Sequence, residues 1–474
     1  MRCVRHFQPF ATWGIGFILV VICVASLLPL RAAAAPPVLE PEWDWEPAQG
    51  VEWIEQPHPG RSELLADTRE GRLHLFDLQS GRDLLPQPIV TRPGLRPVSA
   101  AATSSGQPES SSVSTVEALE PKNLAYCFDR FTVLAIRLGP EPGLAWRVGT
   151  WCEGLAEPTP PGADPAQSFQ GDPEQLRQLL AAGATPWGVM VVRDDGRFGL
   201  LNWADGLVLW ERKVGPMAAA RLLVRGADAA LISQSGPEVQ SLAIDARSGD
   251  IREYPLMPER PWPFWSGLSN CSLVLVEPER CIVATPREVQ TVFRTPSGRN
   301  IIAASVALGP ETSAVQFVGV LIFGTSEGVL HAIDLRSCKE RWASAEVEPR
   351  GQRWSWVKLL GDLVVSAAGG SVQVRTARTG QLLTKFAGGP AARVLDASAS
   401  AGRLWLLVEN TRPQGAELEL VGLLRPAEVA LASSEAEAPR FALERSGVFL
   451  SALWPEGRLV VATHRGVSTY ILPR

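Results

Sequence analysis

Two histidines stand at the same place in two copies of one motif. His74 in REGRLHLFDLQSGRDLL (69–85) and His331 in EGVLHAIDLRSCKERW (327–342) each close a Gly-x-Leu-His string. Imidazoles repeated in register could face a common channel and hold a metal, but a metal centre needs three or four donors converging at about 2 Å. Histidines on separate repeat units do not converge that closely, so each is expected to pack beside its own turn and no metal ligand is assigned. Asp77, Asp245 and Asp334 also recur, with Asn202 and Thr376 at the same position of two further copies. Repeated carboxylates could act as general bases. Here Gly81, Gly206, Gly249 and Gly380 follow four residues on, and Asp or Asn before a Gly is the composition of a tight turn. The chain contains no phosphate-binding loop and no His-Glu-x-x-His, so no catalytic or cofactor-binding residue is assigned.

Beyond the first 34 residues five cysteines remain: Cys127, Cys152, Cys271, Cys281 and Cys338. Cys127 with Cys152, and Cys271 with Cys281, are candidate disulfides by proximity in sequence, and free thiols are the alternative. No Cys-x-x-Cys occurs. Trp262 and Trp265 in PWPFW could stack on a sugar, or pack as a loop on a sheet edge, which is the simpler expectation.

The segment around the histidines repeats along the chain. DGRFGLLNWADGLVLW (195–210), EVQSLAIDARSGDI (238–251) and GGSVQVRTARTGQLL (369–383) share its frame, anchored at Gly71, Gly196, Val239, Gly328 and Gly370. Gly196 to Val239 is 43 residues and Gly328 to Gly370 is 42. Each copy is apolar and rich in β-formers, ends in a polar turn with Gly, and follows another strand-like run such as WGVMVVRDD or GDLVVSAAG. Four short strands per unit at this period predict a β-propeller. Weaker units fit 123–146, 281–298 and 404–424, with a last half-unit at 458–472. Eight blades are expected, or seven, if the chain ends share one.

The strand-Asp-Gly-x-x-x-Ala-x-Asp-x-x-x-Gly-x-x-x-Trp pattern resembles the quinoprotein-like (PQQ-like) repeat. It is clearest in the units ending at Trp210 and Trp342, over about residues 70–474. A WD40 array is the rival, but no Gly-His…Trp-Asp pairing is present. The resemblance implies that the terminal Trp210 and Trp342, together with the small residue of the repeat, Ala332 or Ala243, dock adjacent blades. Leu85, Glu253 and Thr384 stand where other tryptophans would be. Catalytic quinoproteins carry an adjacent cysteine pair and calcium ligands. No adjacent cysteines exist here, so the resemblance implies the non-catalytic branch, with no cofactor and no enzyme activity.

The remaining segments divide the chain. Residues 1–34 combine Arg2, Arg5 and His6, an apolar run from Trp13 to Leu30 and RAAAAPP, the layout of a secretory signal peptide; an uncleaved membrane anchor is the alternative. The Pro- and Trp-rich stretch 35–60 could give a ring-closing strand between Glu42 and Trp53, and 61–474 is the propeller. A disordered Ser/Pro-rich loop is expected near 91–120. A helical insertion is expected near 155–186, where Asp172 caps DPEQLRQLLAAGA, Pro173 starts it and Gly183 stops it. The chain has 474 residues and a formal net charge of −5. Loss of 1–34 would remove three arginines and no carboxylate, leaving it more acidic. That excludes a nucleic-acid binder with a broad basic face. The expected function is an exported, monomeric propeller scaffold for other proteins of the envelope or secretory lumen. A carbohydrate- or small-molecule-binding propeller is the alternative, and a quinone-dependent dehydrogenase a more distant one.

Overall fold

Short apolar runs cut by turns every six to ten residues leave the strand as the element these segments can form. The computed structural model describes residues 36–473 apart from 59, 99–122, 152–153, 156–176, 226–227, 236–237, 254–271, 278–279, 285–287, 295–299, 308–313, 318–319, 325–328, 335–339, 345–353, 390, 401–402, 413–414, 425–437 and 445–447. Among the described residues every regular element is a strand, and the strands fall into nine sheets, each built on four antiparallel strands. The chain is an all-β propeller. All its strands belong to one compact unit, Val38–Arg474; of the other, Met1–Pro37, only residues 36 and 37 are described. The expected export segment lies outside the described residues.

The first strands of neighbouring sheets lie against one another: Leu179–Thr185 of the third sheet meets Ala219–Arg225 of the fourth, and Val51–Glu55 of the first meets Phe449–Leu453 of the ninth. The cores form between sheets. Leu65, Leu73 and Leu75 of the first sheet pack on Ala125, Leu134 and Ile136 of the second. Val51, Ile54 and Leu64 pack on Val460, Ala462 and Val467 of the ninth. The first sheet therefore buries both faces, as its near-continuous apolar strands require.

Nine sheets exceed the expected eight or seven, and the reason lies at the chain ends. The ninth sheet has three strands of its own, Phe449–Leu453, Arg458–Thr463 and Gly466–Ile471, and takes its fourth from Trp43–Trp45, which pairs antiparallel with Gly466–Ile471. The chain then turns through Glu46–Gly50 and starts the first sheet at Val51. The N-terminal segment thus completes one sheet and begins another, so no two repeat units merge. Just upstream, Val38–Leu39 adds in parallel to Arg440–Leu443 at the edge of the eighth sheet.

The expected helix is corrected. Leu179–Thr185 is a strand, paired antiparallel with Gly188–Arg193. Pairing satisfies the backbone and buries Leu179, Ala181 and Ala184, which outweighs local capping preference. Thr185 Oγ1 closes the hairpin by accepting the Trp187 and Gly188 amides at 3.2 and 3.1 Å. Gly183 is a site of close approach: a Cβ there would stand 2.8 Å from Val224 of the next sheet. Gly154–Leu155 is likewise a strand, while Asp172, Pro173 and Leu176 lie outside the described residues. The loop expected at 91–120 starts later, because Arg96–Pro97 pairs with Cys127 and Phe128; residues 99–120 are not among those described.

Candidate functional site

The repeat turns use their polar residues on their own backbone. Asp77 Oδ1 accepts the Gln79 amide at 2.6 Å, Asn202 Oδ1 the Ala204 amide at 2.9 Å, and Asp245 Oδ1 the amides of Arg247 and Ser248 at 2.9 and 3.0 Å. Thr376 Oγ1 meets Thr379 Oγ1 at 2.5 Å. Asp334 accepts both Nε and Nη2 of Arg341. The turns of Asp77, Asn202, Asp245 and Thr376 end at a left-handed Gly, with φ of 67° at Gly81, 74° at Gly206, 73° at Gly249 and 70° at Gly380.

The same turns receive the tryptophan of the preceding sheet. Trp210 Nε1 donates to Ala246 O at 3.1 Å and its ring covers Gly249; Trp342 Nε1 donates to Ala377 O at 3.1 Å and covers Gly380. Two further tryptophans, not singled out in the sequence, do the same. Trp146 donates to Trp203 O at 2.9 Å over Gly206, and Trp43 donates to Leu78 O at 2.8 Å over Gly81. Trp146 ends a unit without a clear anchor, and Trp43 precedes all the repeats. Its role follows only once the closing strand is placed. A Cβ on Gly206 would stand 2.8 Å from the Trp146 ring, at a φ that side chains rarely adopt. Gly206→Ala should therefore cost roughly 3 kcal/mol, and Gly457→Ala, with φ of 69° but open space around it, roughly 1 kcal/mol. Urea midpoints of the two variants check this.

The structure holds the two repeat histidines apart, each within its own hairpin. His74 Nδ1 meets Asp83 Oδ2 at 2.8 Å, and His331 Nδ1 meets Glu340 Oε2 at 2.6 Å. The shared nine-residue spacing is visible in the sequence, but only strand pairing shows that it joins the two side chains. Among the described residues no three His, Cys, Asp or Glu side chains gather as a metal site. Trp262 and Trp265 lie outside the described residues.

The seam between the first and second sheets buries ionisable groups that the sequence does not single out. Asp67 is fully buried; its Oδ1 accepts the Thr91 hydroxyl at 3.3 Å. Burial outweighs that bond and pushes the carboxyl up to about 7. Burial pushes Glu55 up to about 7 as well. Asp129 is raised by burial despite the amides of Phe131 and Thr132 on its Oδ1 at 2.7 and 2.8 Å. Arg147 is lowered by burial, and its Nη2 donates to Val90 O at 2.6 Å. Cys127 is a free, fully buried thiol. This corrects the expected Cys127–Cys152 bridge: the strand Leu124–Phe128 turns Cys127 into the apolar core between the two sheets. Cys152 and Cys271 lie outside the described residues, as does the side chain of Cys281. Burial raises the Cys127 thiol well above its usual range, with Glu55 and Asp67 adding to the shift. Only the thiolate attacks electrophiles. Mass spectrometry after iodoacetamide treatment should find Cys127 unmodified in the native protein and alkylated after denaturation.

The ring closure also shapes a cleft of about 460 Å³ lined by Glu46, Gln49, Gly50, Arg69, His464 and Arg465. Its floor is fixed by backbone. Val51 N donates to His464 O at 3.3 Å, and Arg69 N donates to Gly50 O at 3.3 Å. Gly50, at φ of 78°, is the one residue type that fits, since a Cβ would stand 2.1 Å from His464 O. The cleft lies at the turns after the second strands of the first and ninth sheets, and exposed loops of this kind can meet a partner.

No protein-family model matches the chain, and no characterised protein matches it in sequence. Among solved structures it is similar to the computationally designed Ika8 protein, with 10% identity over 92% of this chain and 100% of that one and a TM-score of 0.48. It is also similar to BamB from Moraxella catarrhalis, with 13% identity over 91% and 99% of the two chains and a TM-score of 0.43. The C-terminal WD40 domain of Sif2 matches at 11% identity over 93% and 100%, with a TM-score of 0.46.

Proposed function

We propose that the chain is a non-enzymatic propeller scaffold that binds other proteins outside the cytoplasm. The observation that carries this reading is the use made of its reactive residue types. Asp77, Asn202 and Asp245 close their own turns, the tryptophans tie sheet to sheet, and each repeat histidine pairs with a carboxylate of its own hairpin. What such a framework offers to other molecules is its loops on two broad faces. The basic, apolar and Ala-rich layout of residues 1–34 supports export.

The test is crosslinking in the native cell, capture of a C-terminally tagged copy and mass spectrometry. A stoichiometric, recurring envelope or luminal partner is the expected result. Recovery of the chain alone, together with saturable binding of a glycan or quinone, would replace this reading with a ligand-binding one.

A further inference from the structure

The cleft at the ring closure is one end of a longer arc of arginines. Arg69 and Arg465 line it, and both are exposed. Two residues past Arg69, Gly71 lies against the next loop. Thr91 N donates to Gly71 O at 2.8 Å, and a Cβ on Gly71 would stand 3.1 Å from the Arg92 carbonyl carbon. The Arg92 guanidinium lies over the Phe131 ring at 5.2 Å from its centroid, and that of Arg130 at 5.4 Å. Contacts therefore run without a break from the ninth sheet's turn, across the first sheet, to the second sheet's turn.

The opposing charges on this path are the exposed Glu46, Glu52 and Glu70, the last 4.0 Å from Arg72. Asp129 is buried, its carboxyl group held by the Phe131 and Thr132 amides and facing the charges of Arg92 and Arg147. The path thus gathers four arginines against three exposed carboxylates, on a chain of net charge −5. An apolar contact flanks it. Val448 is 67% exposed, and its amide donates to His464 Nδ1 at 2.8 Å on the cleft wall.

We infer that this arc docks an acidic, extended protein segment, its carboxylates on Arg69, Arg465, Arg92 and Arg130 and one apolar side chain against Val448. The inference rests on the scaffold reading and names the partner class for this face. Guanidinium forks bind carboxylates with two parallel hydrogen bonds, and a ring that holds two of them in place reduces the entropy lost on binding. Val448 offers an apolar contact that a peptide side chain can use and a nucleic-acid backbone cannot.

The probe is a fluorescent peptide of alternating Glu and Leu, with a Lys and Leu peptide as control, titrated into the full chain by anisotropy. Saturable binding of the acidic peptide alone is expected, weakened by salt and roughly ten-fold weaker in the Arg69→Ser/Arg465→Ser double variant. Arg212→Ser/Lys213→Ser, at a sheet edge, should bind as the parent does, and matching urea midpoints exclude misfolding. Equal binding by the Arg69/Arg465 variant, or no saturation by the parent at millimolar protein, overturns the inference. Capture from cells separates the two proposals. A partner retained by the Arg69/Arg465 variant leaves the scaffold standing and removes this face from it, whereas loss of that partner on the same variant supports the arc.

Discussion

Trp43→Ala should destabilise the propeller by about 3 kcal/mol and open it at one place. The ring of Trp43 lies over Gly81, near Phe76 at 5.9 Å between centroids, and its Nε1 donates to Leu78 O at 2.8 Å. Trp210 makes the same contacts between the third and fourth sheets, whose chain runs directly from one to the other. Trp43 instead sits on a three-residue strand that joins the N-terminal segment to the C-terminal sheet. The strand is also held by Trp45, 4.8 Å from both His74 and Phe76 between ring centroids, by the Glu42 amide on Thr469 O at 2.7 Å, by Arg458 on Glu42 at 2.9 Å and by the Ser468 hydroxyl on Asp44 at 3.1 Å. The Arg458–Glu42 pair is an exposed polar contact worth a fraction of the packing. Removing the indole should therefore release the strand and leave the Gly466–Ile471 edge unpaired. Hydrogen exchange is the readout. Amides of Gly466–Ile471 should exchange faster in Trp43→Ala, and those of Val208–Lys213 should not. If Trp210→Ala and Trp43→Ala give the same urea midpoint and the closing edge stays protected, Trp43 is one tie among equals and no latch.

The repeat frame was legible because the chemistry that makes a turn is local. Asp77, Asn202 and Asp245 bond amides two residues on, and Gly81, Gly206, Gly249 and Gly380 take the left-handed conformation four residues on. A pattern of that kind survives in sequence. What depends on chain segments far apart does not. Trp43 docks 35 residues away in sequence and pairs with a strand at the opposite end of the chain. The window at 172–184 reads as a helix by its caps, yet over Leu179–Thr185 strand pairing decides. Spacing alone allowed Cys127 to pair with Cys152, while the inward direction of the second strand puts the thiol in the core. The arginine arc was invisible for the same reason: Arg465, Arg69, Arg92 and Arg130 share no motif, and ring closure brings them to one face.

The buried acids should make this protein lose stability as pH rises from about 4 to about 7. Asp67 is fully buried, Oδ2 meets no donor among the described residues, and Glu52 adds a like charge that His74 opposes. Its folded value of about 7 lies above the ordinary 3.8. Between those limits the folded chain keeps a proton that the unfolded chain has lost. The stabilising contribution of that proton is complete below the unfolded value, shrinks as pH rises, and is gone above the folded one. The slope from one such group reaches about −1.4 kcal/mol per pH unit. Glu55 adds in the same direction but is partly exposed, so solvent reduces its share. Asp67→Asn keeps the shape and removes the charge. Its urea midpoint should exceed the parent's at about pH 8 and fall to or below it at about pH 4, where the parent's own carboxyl is neutral and bonded to Thr91. Two parallel midpoint-against-pH curves would mean that Asp67 titrates in the ordinary range and that water reaches the seam between the first two sheets.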